Sequence, residues 1–212
     1  MSLDFTFYIK FFLGLVAIIN PVGLLPVFVS LTSHQNDIER NHTGKVANFA
    51  VVVILLVTIF AGQHILNLFS ISLSAFRIAG GSLIAIIAMS MLQGKLGEVK
   101  RNKEEDREAS GMESVAVVPL ALPLMAGPGA ISSVIVTAAE NNTFINHVGM
   151  SITVIVFGLI SFMLFRAAPV IYKVLGKTGI NVITRLMGLL MLSIAIEVIV
   201  AGLKGLFPNL LN

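Results

Sequence analysis

Apolar residues fall into six long stretches separated by short polar ones, and the pattern predicts six membrane crossings by α-helices. The first runs from Phe5 to Leu31 with an interruption at Asn20–Pro26, and a polar loop from Thr32 to Lys45 follows. The second covers Val46 to Phe60 and extends toward Leu68; the third covers Arg77 to Leu92 and carries Gly81, Ala85 and Ala88 as a small-residue stripe suited to close helix contact. A strongly charged stretch, Lys95–Glu113, must lie in water. Beyond it the fourth segment runs from Val115 to Ala139, the fifth from Val148 to Phe165 and the sixth from Thr184 to Leu203, with Arg166, Lys173 and Lys177 in the loop between the last two.

Segments one and four are interrupted where a helix should continue. Asn20-Pro21-Val22-Gly23-Leu24-Leu25-Pro26 and Gly127-Pro128-Gly129 carry residues that a helix interior tolerates badly. Proline removes a backbone hydrogen bond and clashes with the preceding turn, at roughly 3 kcal/mol, and glycine loosens the backbone further. Lipid offers no partners to freed peptide groups, so irregular backbone at membrane depth has to be satisfied by protein or line a wet cavity. A cavity near the bilayer midplane is the expectation.

Composition sharpens this picture. With 56% hydrophobic and 12% charged residues and a mean hydropathy of +0.94, the 212-residue chain is an integral membrane protein and not a soluble domain. The net charge of +3 comes from basic residues scattered singly, not gathered on one face, so nucleic acid is not an expected partner. The absence of cysteine excludes disulfides, thiol redox chemistry and thiolate metal sites. The first apolar stretch lacks an early basic region and a small-residue cleavage site, so the N-terminus is expected to be retained. With six crossings, 11 of the 14 Lys and Arg residues fall on the side of the first, third and fifth loops. The positive-inside bias then puts the Lys95–Glu113 linker in the cytoplasm and both termini outside.

The two halves repeat. Asn20-Pro21 matches Gly127-Pro128 at an offset of 107, and Phe76-Arg77-Ile78-Ala79-Gly80 matches Thr184-Arg185-Leu186-Met187-Gly188 at 108. Three crossings per half invert the second half relative to the first, which predicts an all-α fold of two inverted three-helix repeats, residues 1–94 and 114–212, with discontinuous first and fourth segments and the linker 95–113 between them. Prolines as packing kinks in an old duplication are the competing explanation.

A half-helix starting after Pro21 or Pro128 directs unpaired N–H groups and the positive end of its dipole into the cavity, which suits a carboxylate; the half-helix ending before each break offers carbonyls to an ammonium. A small zwitterionic solute is thus the expected ligand, held at Asn20, Pro21, Gly23, Gly127, Pro128, Gly129, Ser132 and Ser133. Asn20 as a helix cap, and the serines bonded to the preceding turn, are equal competitors. Glu197 is the one carboxylate well inside an apolar segment; it is expected to face the bundle interior, either in a structural hydrogen bond or as a proton carrier. Arg77 and Arg185, at matching places on opposite membrane faces, serve as gates or as interfacial anchors. No metal-ligand spacing, phosphate-cradling loop or nucleophile–base set occurs, so neither a cofactor nor an enzyme is expected. Proton or sodium coupling and self-association are both left open.

Four motifs resemble the MarC family of bacterial integral membrane proteins: Asn20–Pro26, Phe76–Gly81, Val118–Ser132 and Ile180–Gly188. That family includes neutral amino acid transporters of the SnatA type and is similar to the lysine-exporter superfamily. The resemblance implies six helices in the inner membrane and, for one branch, amino acid transport. The expected function is therefore a secondary transporter working by alternating access, against a non-transporting scaffold or accessory protein, or a passive channel.

Overall fold

A computed structural model describes residues 5–33, 35–94 and 125–208, and every regular element among them is an α-helix. We label these α1 (Phe5–Ile19), α2 (Leu25–Leu31), α3 (Asp37–Leu68), α4 (Leu73–Leu92), α5 (Pro128–Glu140), α6 (Phe144–Arg166) and α7 (Ala168–Leu206). Helix is what an apolar chain must adopt in lipid, because only there does each segment satisfy its own peptide groups. α3, α4, α6 and Thr178–Leu206 of α7 are long and apolar enough to cross a membrane, whereas α1 has only 15 residues. The chain is an all-α, multi-pass membrane protein. The Lys95–Glu113 linker and the fourth segment up to residue 124 lie outside the described residues.

Two boundaries differ from the sequence pattern. The polar stretch before Val46 is not all loop: α3 starts at Asp37, because the Asn36 side chain accepts from the N–H groups of Ile38 and Glu39 while Glu39 returns a bond to the Asn36 N–H. The stretch between the fifth and sixth segments is helical as well. α7 begins at Ala168 with Pro169 in its first turn and is kinked at Gly176, whose φ of 62° and ψ of −179° interrupt it before Thr178.

Packing joins elements of the first half to elements of the second. α4 and α7 run antiparallel at close range, with Gly81 against Ala195 and Ile199, Gly188 against Ala88 and Met91, and Gly202 against Ser74 and Ile78. A methyl group on Gly188 would stand 3.1 Å from the Ala88 carbonyl oxygen, so the backbones approach as closely as glycine permits. α3 packs on α6, with Val52 over Gly158 and Phe165 beside Gly44; the rings of Phe28 and Phe165 stack at 4.6 Å. α2 lies on α7, while α5 lies on α4 and α3. α1 touches α5, α6 and α7, making the two broken elements neighbours.

Candidate functional site

The first interruption exists in the backbone, and at the second a helix starts after Gly127. α1 stops at Ile19, and Asn20 turns the chain with a φ of 48°, in the left-handed region that asparagine tolerates better than most residues. Pro21 has no N–H to return to the preceding turn. The Gly23 N–H donates to Asn20 Oδ1 at 3.1 Å and the Leu24 N–H to the Asn20 carbonyl at 3.2 Å, which closes the turn before α2 begins with Pro26 in its first turn. Asn20 is 1% exposed, and its Nδ2 has no hydrogen-bond partner.

Gly23 is what allows this turn to sit where it does. A Cβ at residue 23 would strike the Asn20 amide and stand 3.0 Å from the hydroxyl of Thr184, a buried residue of α7. Three groups therefore converge: the unpaired Asn20 amide, the Thr184 hydroxyl and the bare backbone of Gly23. Asn20 does not cap α2, whose N-cap is Leu24 with no side-chain bond: its Oδ1 closes the turn before the helix, and its Nδ2 is left over.

At the second break Gly127 is extended at the N-cap of α5, with no side chain capping it, and Pro128 occupies the first helical position. The first bond of the α5 ladder runs from the Ile131 N–H to the Gly127 carbonyl at 3.1 Å, so the N–H groups of Gly129 and Ala130 precede that ladder. Gly127 and Gly129 are buried, Pro128 is exposed, and Gly129 faces Ile84 of α4. Ser132 is buried with its hydroxyl against Gly80, while Ser133 is half-buried and its carbonyl accepts from Thr137 Oγ1 at 2.8 Å. Each break thus abuts a long helix of the other half: the first meets α7 through Thr184, the second meets α4 through Gly80 and Ile84.

The charged candidates are dispersed. The Arg77 side chain is 14% exposed and ion-paired with Glu140 at the end of α5, while its Nε is buried without a partner. Arg185 is exposed and lies beside Gly94, just past the end of α4, where a cation suits the negative end of the helix dipole. Glu197 points outward from α7, not into the bundle interior. Among the described residues no three His, Asp or Glu side chains come together as a metal site requires. An apolar groove of about 470 Å³ opens between α3 and α6, lined by Lys45, Asn48, Val52, Leu56, Gly158 and Phe162, and no break residue lines it.

Two participants, Thr184 and Glu140, are not among the residues singled out from sequence. The signal for Thr184 was its place directly before Arg185 in the repeat motif, and for Glu140 its position as the lone acid closing the fourth segment.

Comparison with known proteins finds relatives that are membrane proteins. The chain is 54% identical over 209 residues to the UPF0056 membrane protein YhcE of Escherichia coli (strain K12), covering 99% of this chain and 97% of that one. It is 38% identical to a UPF0056 membrane protein of Pyrococcus abyssi, covering 92% and 94%, and 35% identical to YvbG of Bacillus subtilis (strain 168), covering 97% and 98%. No solved structure matches. The model of the MarC family integral membrane proteins matches residues 5–207. A match of that extent means that the chain belongs to the MarC family of integral membrane proteins.

Proposed function

We propose that the protein is a secondary transporter of small neutral amino acids or similar zwitterionic solutes, built as two inverted three-helix repeats in a bacterial inner membrane, with both termini outside and the charged linker in the cytoplasm. The observation that carries this reading is the Asn20 amide: fully enclosed, without a partner, and beside Thr184 at a helix break. A buried donor left unpaired costs about 1–3 kcal/mol, and the left-handed backbone adds a smaller strain, which asparagine bears better than most residues. Two such costs at one residue are expected where a guest supplies the missing acceptor. A carboxylate oxygen is that acceptor, and the Gly129 and Ala130 N–H groups ahead of the α5 ladder offer further donors of the same kind.

The crosswise packing supports the repeat reading, because α2 on α7 and α5 on α4 are the same relationship with the halves exchanged. In this scheme Arg77 and Glu140 close the outer side. A second reading, a non-transporting scaffold, is favoured by the tight enclosure of Ile19, Leu24, Leu25, Met125 and Ala126, each at most 1% exposed around the breaks. An occluded carrier has the same appearance, and water access over time separates the two.

Purified protein in liposomes, challenged with labelled glycine, alanine and serine under imposed proton and sodium gradients, is the direct test. Saturable uptake with counterflow supports the carrier, and flux without counterflow identifies a channel. No flux, together with failure of a thiol reagent to reach Asn20→Cys or Thr184→Cys in a chain that has no other cysteine, supports the scaffold.

A further inference from the structure

The apolar groove between α3 and α6 begins at the edge of the membrane layer and ends near its middle. α3 has 32 residues, about 48 Å at the helical rise, against a hydrocarbon layer of about 30 Å, so its charged first turns stand outside. Lys45 is the last charged residue before the apolar run that opens at Val46, and Arg166 closes α6 after a run free of Lys, Arg, Asp and Glu. Gly44 lies against Phe165, which sets Lys45 and Arg166 at one level. From there the α3 wall of the groove descends through Asn48 and Val52 to Leu56, about 16 Å and thus close to one leaflet.

Its size and its polar groups select the occupant. A volume of about 470 Å³ over about 16 Å leaves a cross-section of about 30 Å², which one hydrocarbon chain fills and a helix about 10 Å across does not. At the open end Lys45 and Arg166 are exposed, and neither is ion-paired among the described residues, whereas Arg40 has Asp37. One turn below Lys45, Asn48 is 3% exposed; its Nδ2 donates to the Gly44 carbonyl at 2.8 Å, but its Oδ1 is buried without a partner. An apolar slot of leaflet depth, one chain wide and topped by two unneutralised cations, is complementary to an anionic amphiphile with a long tail.

We propose that the groove is a binding site for an anionic phospholipid of the bilayer, with one acyl chain laid along Val52, Leu56 and Leu159 and the phosphate held between Lys45 and Arg166. Both side chains are long enough to reach outward along their helices while their stems cover the mouth of the groove. The phosphate supplies the counter-charge that no carboxylate of the described residues gives them. The ester groups of such a lipid come to the depth of Asn48, where a water bonded to an ester oxygen donates its other hydrogen to Oδ1. A zwitterionic lipid fills the apolar slot equally well but brings its own cation beside Lys45, so the site discriminates by headgroup and not by chain.

The chain has no tryptophan, so a single one reports its own surroundings. Leu159→Trp, on the groove wall, and Ile86→Trp, on the exposed side of α4, are compared in phosphatidylcholine vesicles containing brominated phosphatidylglycerol or brominated phosphatidylcholine as quencher. Quenching at Leu159→Trp should favour phosphatidylglycerol by at least about fivefold, the preference that one cation near a membrane surface gives, and at Ile86→Trp by less than about twofold. Adding Lys45→Gln and Arg166→Gln to the Leu159→Trp chain should bring its preference down to that of Ile86→Trp. Lys45→Arg should retain it, and raised salt should weaken it in the chain with both cations intact, a check that needs no variant lacking a charge. The proposal is overturned if the two tryptophans show equal preference, if neither salt nor loss of the cations changes it, or if neither lipid quenches Leu159→Trp. None of these readings involves solute flux, so they leave the transport proposal to its own test.

Discussion

Arg77, one turn into α4, is ion-paired with Glu140, the last residue of α5, across 63 positions of sequence. The Glu140 side chain is 48% exposed but that of Arg77 only 14%, and the backbone of Gly202 of α7 presses on the Arg77 stem. The pair therefore ties three helices at one end of the bundle. Because the arginine is the enclosed partner, losing the acid is the worse half of the bargain: it strands a buried cation.

Glu140→Ala should lower stability by about 1–2 kcal/mol, discounted from a fully buried pair because the carboxylate meets solvent. In detergent this reads as a drop of several degrees in unfolding temperature. The swapped pair, Arg77→Glu with Glu140→Arg, should recover part of it. If the pair gates the outer side, Glu140→Ala also raises accessibility of Thr184→Cys to a membrane-impermeant thiol reagent added from outside.

Asn20 can be dissected by three substitutions. Asn20→Val places a β-branched residue at a φ of 48° and removes the bond to the Gly23 N–H, so it should cost upward of about 2 kcal/mol and impair insertion. Asn20→Gly relieves the backbone and should give folded protein. Asn20→Asp keeps the acceptor for Gly23 while exchanging the free N–H group for oxygen. Both folded variants should lose solute binding, checked by the ligand-induced shift in unfolding temperature.

Much of this was legible from residues alone. Asn20-Pro21 and Gly127-Pro128 announce broken helices because proline and glycine act on their own backbone, and Gly81 and Ala88 mark a close helix contact because they have nothing to keep a neighbour away. The Arg77–Glu140 pairing was not legible, since which carboxylate meets a given arginine is decided by packing between halves. Nor was the direction of Glu197: α7 is apolar nearly all round, and periodicity cannot orient a helix that lacks a polar face. The helical run before Gly176 hid among Lys173, Lys177 and two glycines, residues that also compose loops.

Ser132 and Gly80 fit as knob and hollow between α5 and α4. Gly80→Ala should overpack this contact and destabilise by about 1–3 kcal/mol. Ser132→Gly in the same chain should relieve most of that cost, a coupling that a double-mutant cycle on unfolding temperature measures.

The cap of α3 provides a control far from the breaks. Asn36→Ala removes the acceptor shared by the Ile38 and Glu39 N–H groups and should cost about 1 kcal/mol while leaving solute binding unchanged.

α1 has 15 residues and then stops, which at the helical rise is about 22 Å, against a hydrocarbon layer of about 30 Å. α1 alone is therefore too short to cross that layer, and the peptide groups freed at Asn20 have to find their partners within the protein. The Gly23 and Leu24 N–H groups find theirs on Asn20 itself, so a single residue seals the end of α1 from within.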